Sequence, residues 1–366
     1  MRLLPISSCP PGVKLAKHIY NEEGIVLLAT GVELTEPLLA RLSHHGIDHI
    51  YVHDSRTDDI VIEDVLSVET RVRTTREIRH TFIKMMDDAG KKRLVSTYHL
   101  GKTFRPLMED VIDELSRHPD AMIMLTNISV ADHYLFQHSL NVGIYATMLG
   151  LAHGYNKEEL MVLGLGALLH DIGKTKVPLE LLRKPGKLTI EEFEEIKKHT
   201  EYGFAMLKDE PNMPLLAAHC AFQHHERING SGYPRGLAGD DIHEYARWIG
   251  LVDSYDAMTT QRVYRTAMLP HQALETLFTG AGTLYDQDKI ALFRDKIALY
   301  PIGVTVTLNS GETAVVVDLN ASAPHRPVVR VLEDENGQEI VPYEIDLSKK
   351  LSVMIAAVNQ VKIEQY

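Results

Sequence analysis

The spacing of apolar positions divides the chain into four stretches. In the first, Ile25 to Leu28 is a short apolar run closed by Gly31, which predicts a strand. Thr35 then caps a helix that has Pro37 near its start, runs to about His45 and stops at Gly46. A second strand, Ile47 to Val52, ends at Asp54, so residues 1–60 read as a small mixed α/β unit. Between 61 and 118 the period turns helical, with Glu69–Met86 and Thr103–Leu115 as the better segments, and this stretch reads as a connector. Residues 119–298 continue as one all-helical pattern. Past Pro301 the character changes. Residues 304–308, 314–318 and 328–332 are β-rich and separated by Asn309-Ser-Gly311 and Asn336-Gly337 turns, so 299–366 reads as a small β-rich unit. The expected fold class is mostly α, flanked by these two small units.

Two capping boxes punctuate the helical stretch. Asn156-Lys-Glu-Glu159 opens a helix predicted over Lys157–Asp171, with Leu160, Leu163, Ala167 and Leu168 as its buried stripe. Thr189-Ile-Glu-Glu192 opens another, whose Phe193, Ile196, Thr200 and Phe204 are expected to face inward. His138 sits near the start of an apolar helix, followed by Val142, Tyr145, Ala146 and Leu149 at helical spacing. Asp253 ends an apolar stretch in Leu251-Val-Asp-Ser-Tyr-Asp-Ala257.

Composition narrows the chemistry. The 366 residues include 19 histidines but only Cys9 and Cys220, which excludes a disulfide scaffold and a four-cysteine zinc module. Any metal must be held by imidazole and carboxylate. With 38 basic against 50 acidic side chains and a net charge of −12, broad salt-driven binding to duplex nucleic acid is excluded, though one small anion in a locally positive pocket is not. No apolar run approaches the ~20 residues that span a bilayer, and Met1-Arg2-Leu3-Leu4-Pro5 lacks a signal-peptide pattern, so the expected location is cytoplasmic.

The histidines and aspartates recur in an order that core packing does not explain. His138, His170-Asp171, His199, His224-His225 and Asp253 each border an apolar helical face. An adjacent His-Asp pair on a helix points about 100° apart, so both can serve one centre only if it is wide. A pair of ions ~3.5–4 Å apart supplies that width, because a carboxylate can bridge them while the imidazole takes one. Gly173 then releases the helix and brings Lys174 back over the site. The competing account is a helix C-terminus with His and Lys placed favourably on the macrodipole. His133, His153, His219 and His243 read as ordinary packing residues, and His44-His45 and His49-x3-His53 are weak metal patterns. Arg71, Arg73, Arg76 and Arg79 read as a solvated helix face.

Over residues 119–298 the sequence resembles an HD-GYP domain, a branch of the HD metal-phosphohydrolase superfamily that degrades cyclic di-GMP. The resemblance rests on His170-Asp171-Ile-Gly-Lys174, Lys184-Pro-Gly-Lys-Leu-Thr189, His199 and His224-His225-Glu226. It continues through Gly232-Tyr233-Pro234, Asp253-Ser-Tyr-Asp-Ala257 and Arg262-Val-Tyr-Arg265. It implies an all-helical catalytic domain with metal ligands at His138, His170, Asp171, His199, His224, His225 and Asp253, Asp171 bridging two ions. The choice of Asp253 over Asp256 rests on the resemblance, because helical spacing does not separate them. Members with a third ion carry a glutamate four residues before the first ligand histidine. Tyr134 stands there, so two ions are expected. Asn229 replaces a frequent Asp but keeps a turn-forming side chain, while Val263 replaces Pro between Arg262 and Tyr264.

Nitrogen and oxygen donors without thiolate favour iron, manganese, zinc or nickel over copper(I) and cluster chemistry, and the resemblance tilts the choice to iron or manganese. Such a centre makes hydroxide available near neutral pH for in-line attack on phosphorus, with Lys174 holding a non-bridging oxygen. Gly230 and Gly232 permit a tight turn that presents Tyr233 for base stacking or a phosphate hydrogen bond. Arg262 and Arg265, three apart, can clamp phosphate or a guanine edge. The leading expectation is hydrolysis of cyclic di-GMP to pGpG and onward to GMP. Alternatives are another cyclic dinucleotide such as 3′3′-cyclic GMP-AMP, or a non-catalytic module that binds cyclic di-GMP or docks a signalling protein. The helices between 69 and 115 are candidates for a homodimer stalk, and the N-terminal unit for sensing or docking.

Overall fold

The computed structural model describes residues 1–21, 25–45, 47, 49–60, 65–90, 98–118, 134–184, 186–260 and 267–358. These form two compact units: one of the described residues in 1–64 and 295–366, the other of those in 65–119 and 133–294.

The first unit joins both ends of the sequence. Strands β1 (Arg2–Pro5), β2 (Ile19–Tyr20) and β3 (Val26–Leu28), helix α1 (Glu36–His44) and strand β4 (His49–Val52) come from the N-terminal stretch. Strands β5 (Thr305–Leu308), β6 (Thr313–Asp318), β7 (Val328–Glu333), β8 (Glu339–Asp346) and β9 (Ile355–Val358) form one antiparallel sheet in the order β8-β7-β6-β5-β9. β1 pairs antiparallel with β4, Leu3 opposite Tyr51 and Leu4 opposite Ile50. Because successive strand side chains point to opposite faces, this ribbon feeds two cores. Leu3 and Tyr51 pack with Val304, Val306, Val316, Val329 and Val331 of the C-terminal sheet. Leu4, Ile50 and Val52 pack with Leu15, Leu34, Leu39 and Leu42 instead. Arg330 adds paired contacts of 2.7 Å to Asp59, and Leu3 N donates to Gly303 O at 2.8 Å. The boundaries expected from sequence, 1–60 and 299–366 as separate units, differ from this shared core.

Three C-terminal strands lie where the β-rich runs predict them; β8 and β9 were not legible. β8 carries Pro342 in a mostly exposed edge strand, a place where its missing N–H costs no ladder bond. β9 is only Ile-Ala-Ala-Val, and alanine has little strand preference.

The second unit is helical: α2 (Val68–Gly90), α3 (Leu100–Leu115), α4 (Tyr134–His153), α5 (Lys157–Leu168), α6 (Leu179–Leu182), α7 (Ile190–Lys197), α8 (His199–Leu207), α9 (Leu215–Gln223), α10 (Glu244–Thr259) and α11 (Pro270–Thr279), followed by α12 (Gln287–Lys296). The stretch 65–118 belongs with it, so α2 and α3 are part of the helical body rather than a connector. Arg73 of α2 pairs with Asp110 of α3. Both capping boxes form, at Asn156 and at Thr189. Two helices are shorter than their periodicity predicts. α5 ends at Leu168, so His170 and Asp171 lie in the turn before a 3-10 segment, Ile172–Lys176. The helix after Thr189 is interrupted at Lys198, so that His199 opens α8. Phe193 does not face inward: it is 43% exposed. Among the described residues, no helix is long and apolar enough to cross a membrane.

Candidate metal centre

The turn after α5 delivers a carboxylate into the middle of the helical unit. Asp171 is fully buried, and its two oxygens face different histidines. Oδ1 lies 3.4 Å from His199 Nε2 and 3.9 Å from His224 Nε2. Oδ2 lies 3.4 Å from His170 Nε2 and 3.7 Å from His138 Nε2. Asp253, from α10, reaches His138 Nε2 at 3.1 Å through Oδ1 and His225 Nδ1 at 3.8 Å through Oδ2. Two groups of potential ligand atoms result, Asp171 with His199, His224 and His225, and Asp171 with His138 and His170. Each group fits within 4.8 Å.

The opposite nitrogens explain why the imidazoles point this way. Nδ1 of His170 is 2.7 Å from Ala167 O, Nδ1 of His199 is 2.7 Å from Ile196 O, and Nδ1 of His224 is 3.0 Å from Ala221 O. Each carbonyl lies three residues back, where a helix end leaves such acceptors without intrahelical donors. A carbonyl can only accept, so Nδ1 carries the proton and Nε2 presents a lone pair to the centre. His138 uses a carboxylate instead: its Nδ1 donates to Asp256 Oδ2 at 2.7 Å, and Asn141 Nδ2 donates to Asp256 Oδ1 at 2.9 Å.

Asp253 and Asp256 therefore divide between the two nitrogens of one histidine, a distinction their shared helix face conceals in the sequence. Asp256 and Asn141 were given no role by sequence reasoning. Their signal was the i, i+3 spacing to Asp253 and to His138, which puts each pair on one face. Asp256→Asn is expected to lower metal affinity about 10–100-fold, as removal of an orienting carboxylate does. Chelator competition measures this; an unchanged affinity would take the orienting role from Asp256.

Electrostatics hold the donors in their ligating forms. Burial raises the pKa of Asp171, but the Lys174 ammonium and the surrounding imidazoles outweigh it and keep the carboxyl well below its ordinary range. Asp253 is likewise lowered, burial being overcome by the neighbouring imidazoles of His138 and His225. Burial lowers His199 to about 4 and pushes His224 and His225 down as well, so all three are neutral at pH 7. His170 Nε2 and Asp171 Oδ1 are buried with no hydrogen-bond partner among the described residues. Such atoms are costly unless something binds them, and a converging set of neutral imidazoles and anionic carboxylates is a divalent-metal donor set. The residues present fit a metal.

Lys174 leaves the 3-10 segment with its Nζ on Asp171 Oδ2. Gly173 beside it does more than release a helix. A Cβ there would lie 1.9 Å from His199 O and 2.5 Å from Gly203 N, so only glycine lets this turn press against the start of α8. On the other side, Tyr233 stacks on His225 with ring centres 4.6 Å apart and planes at 29°. Its loop is anchored by Glu226, whose carboxylate accepts from Arg235 N at 2.8 Å and Leu237 N at 2.9 Å. Asn229 Oδ1 accepts from Ser231 N at 3.0 Å, the turn bond its side chain predicts. Arg262 and Arg265 lie outside the described residues, as does His133; for Tyr134, the first residue of α4, only the backbone is described.

The remaining histidines pack or cap. His153 meets the Trp248 and Tyr155 rings, His219 meets Phe204, and His243 Nδ1 accepts from Tyr245 N at the start of α10. His53 pairs with Asp58 at 3.1 Å.

A model of the HD domain family matches residues 109–288, and one described as a KOW domain associated with HD domain matches residues 305–365. A cyclic di-GMP phosphodiesterase of Pseudomonas aeruginosa is 30% identical over 357 residues, 90% of this chain and 82% of that protein. A cyclic di-GMP phosphodiesterase of Thermotoga maritima is 31% identical over 243 residues, 66% of this chain and 65% of its own length. A 3′3′-cGAMP-specific phosphodiesterase of Vibrio cholerae is 28% identical over 214 residues, 58% of this chain and 41% of that protein. With a relative matched along most of both sequences, and with the His-Asp cluster and Gly-Tyr-Pro loop in one site, the chain belongs to the HD-GYP family of HD-domain phosphodiesterases.

Proposed function

We propose that this chain hydrolyses cyclic di-GMP, opening the ring to pGpG and continuing to GMP. The observation that carries the reading is the buried Asp171 carboxylate, whose separate oxygens face separate sets of imidazoles. That division favours two ions, which His138, His170 and Asp253 would hold on one side and His199, His224 and His225 on the other, Asp171 serving both. Iron or manganese suits this many nitrogen and oxygen donors better than four-coordinate zinc. When bound, such ions supply Lewis acidity toward a phosphoryl oxygen and toward water.

The chain's own groups do the rest. The orienting carbonyls and Asp256 keep Nε2 of His138, His170, His199 and His224 aimed inward before substrate arrives, so little reorganisation accompanies the reaction. Lys174 places an ammonium beside Asp171, where a non-bridging phosphate oxygen can share it. Burial, with Asp253 and Asp171 nearby, raises the Tyr233 hydroxyl above its ordinary pKa, so it stays a hydrogen-bond donor. Arg262 and Arg265 are assigned to phosphate or guanine. The reading places the enzyme in the cytoplasm with its nucleotide.

A second reading keeps the chemistry and changes the base, because 3′3′-cGAMP-specific relatives share this half of the chain. A panel of cyclic dinucleotides presented to the metal-loaded protein, with products separated by chromatography, decides between them. Linear pGpG and GMP from cyclic di-GMP are expected. Cleavage of the mixed dinucleotide alone would move the substrate, and cleavage of none would end the enzymatic reading.

A further inference from the structure

Helix α7 stands beside the site without contributing to the core. None of its residues is buried, although it carries Ile190, 78% exposed, and Phe193, 43% exposed. It is held by its capping box and by Lys184, whose Nζ lies 2.6 Å from both oxygens of Glu192. Phe193 therefore keeps a large part of its ring open to solvent.

The rings form a series leading out of the metal centre. His225, 3.8 Å from Asp253, carries Tyr233 stacked on it. Tyr233 in turn meets Phe193 edge to face, with centres 6.2 Å apart and planes at 80°. Lys197, one turn after Phe193, places Nζ 4.9 Å from the Phe193 ring centre and 5.4 Å from that of Tyr233, while Glu194 holds the same ammonium at 2.7 Å. Tyr233 thus has one face on His225 and a cation close to its ring. The face stacked on His225 is thereby closed to a ligand. Phe193 is the exposed ring of the series.

We infer that Phe193 is the face on which one nucleobase of the substrate stacks, with Lys197 setting the ring in place and Tyr233 contributing its hydroxyl instead of its face. The inference rests on the nucleotide-hydrolase reading above. Any purine has a π-face, so this contact strengthens binding without choosing between cyclic di-GMP and the mixed dinucleotide.

Calorimetric binding of GMP and of ribose 5-phosphate, which lacks the base, to the metal-loaded protein isolates the contribution of the purine. Wild type is expected to prefer GMP, and Phe193→Ala to shrink that preference by roughly fivefold or more. Phe193→Trp should restore it, and Phe193→Leu, which keeps apolar bulk without a ring, should behave like alanine. KM for cyclic di-GMP should rise by a similar factor in the alanine variant while kcat changes by less than about twofold, the pattern of lost uniform binding. A wild-type protein without purine preference, or an alanine or leucine variant that retains it, overturns the inference. Purine preference lost in Phe193→Ala, but with no cyclic dinucleotide cleaved by wild type, would sink the hydrolase reading and leave the stacking face standing.

Discussion

Asp171→Asn is expected to empty the centre of metal and to lower hydrolysis by on the order of 10³-fold or more. The substitution keeps the volume of the side chain, so packing around a fully buried position is preserved. What changes is donor chemistry. One carboxylate oxygen becomes an amide NH₂, which cannot accept, and it must face either His199 and His224 or His138 and His170. One set of imidazoles therefore loses its anionic partner whichever way the amide turns. Lys174 also loses the charge it sits on. Metal per chain by elemental analysis, turnover of cyclic di-GMP and a thermal melt on the same preparation check this. A folded variant with full metal and full turnover would refute the bridging assignment. If turnover falls while signalling output in cells persists, the non-catalytic reading gains at the expense of the enzymatic one.

Gly173→Ala is expected to be the more destructive change, although it adds one methyl group. The new Cβ would meet two backbone atoms, His199 O at 1.9 Å and Gly203 N at 2.5 Å, and neither can swing aside as a side-chain tip could. α8 and the 3-10 segment must separate, which carries His199 away from Asp171. Overpacking of this kind costs about 3 kcal/mol or more, or roughly 6–12 °C in Tm for a domain of this size. Urea denaturation and metal content on one preparation test it. Gly143→Ala is the matched control, since its Cβ would meet Leu168 at no less than 3.5 Å, an ordinary contact. Equal stability of the two variants would refute the close-approach account.

These two residues mark what was and was not legible in the sequence. Asp171 was readable because its partners come in short local motifs at helix ends, and the structure brings all seven named histidines and aspartates together. Gly173 was read as a helix release, yet what requires glycine is a backbone 26 positions later. Nothing in a local pattern encodes that meeting. Helical periodicity places Phe193 inward because it follows apolar spacing alone, whereas α7 buries none of its residues. The helical body was legible from its capping boxes and apolar stripes. The terminal units were legible only in part, because β1 and β9 are four residues each and β8 has a proline inside it. The pairing of the two ends is a contact across nearly the whole sequence, which no window of neighbouring residues contains.

That pairing has a consequence for how the protein is made. Leu3 and Tyr51 need Val304, Val316 and Val331 to complete their core, so β1 and β4 cannot finish packing until residues 304–331 leave the ribosome. At ~5–20 residues per second the wait is on the order of 15–60 s. The helical body between them can close during that interval on contacts within itself. Synthesis order and final architecture run in opposite senses here: β1 precedes the helical body in the chain yet completes its packing with strands that follow it.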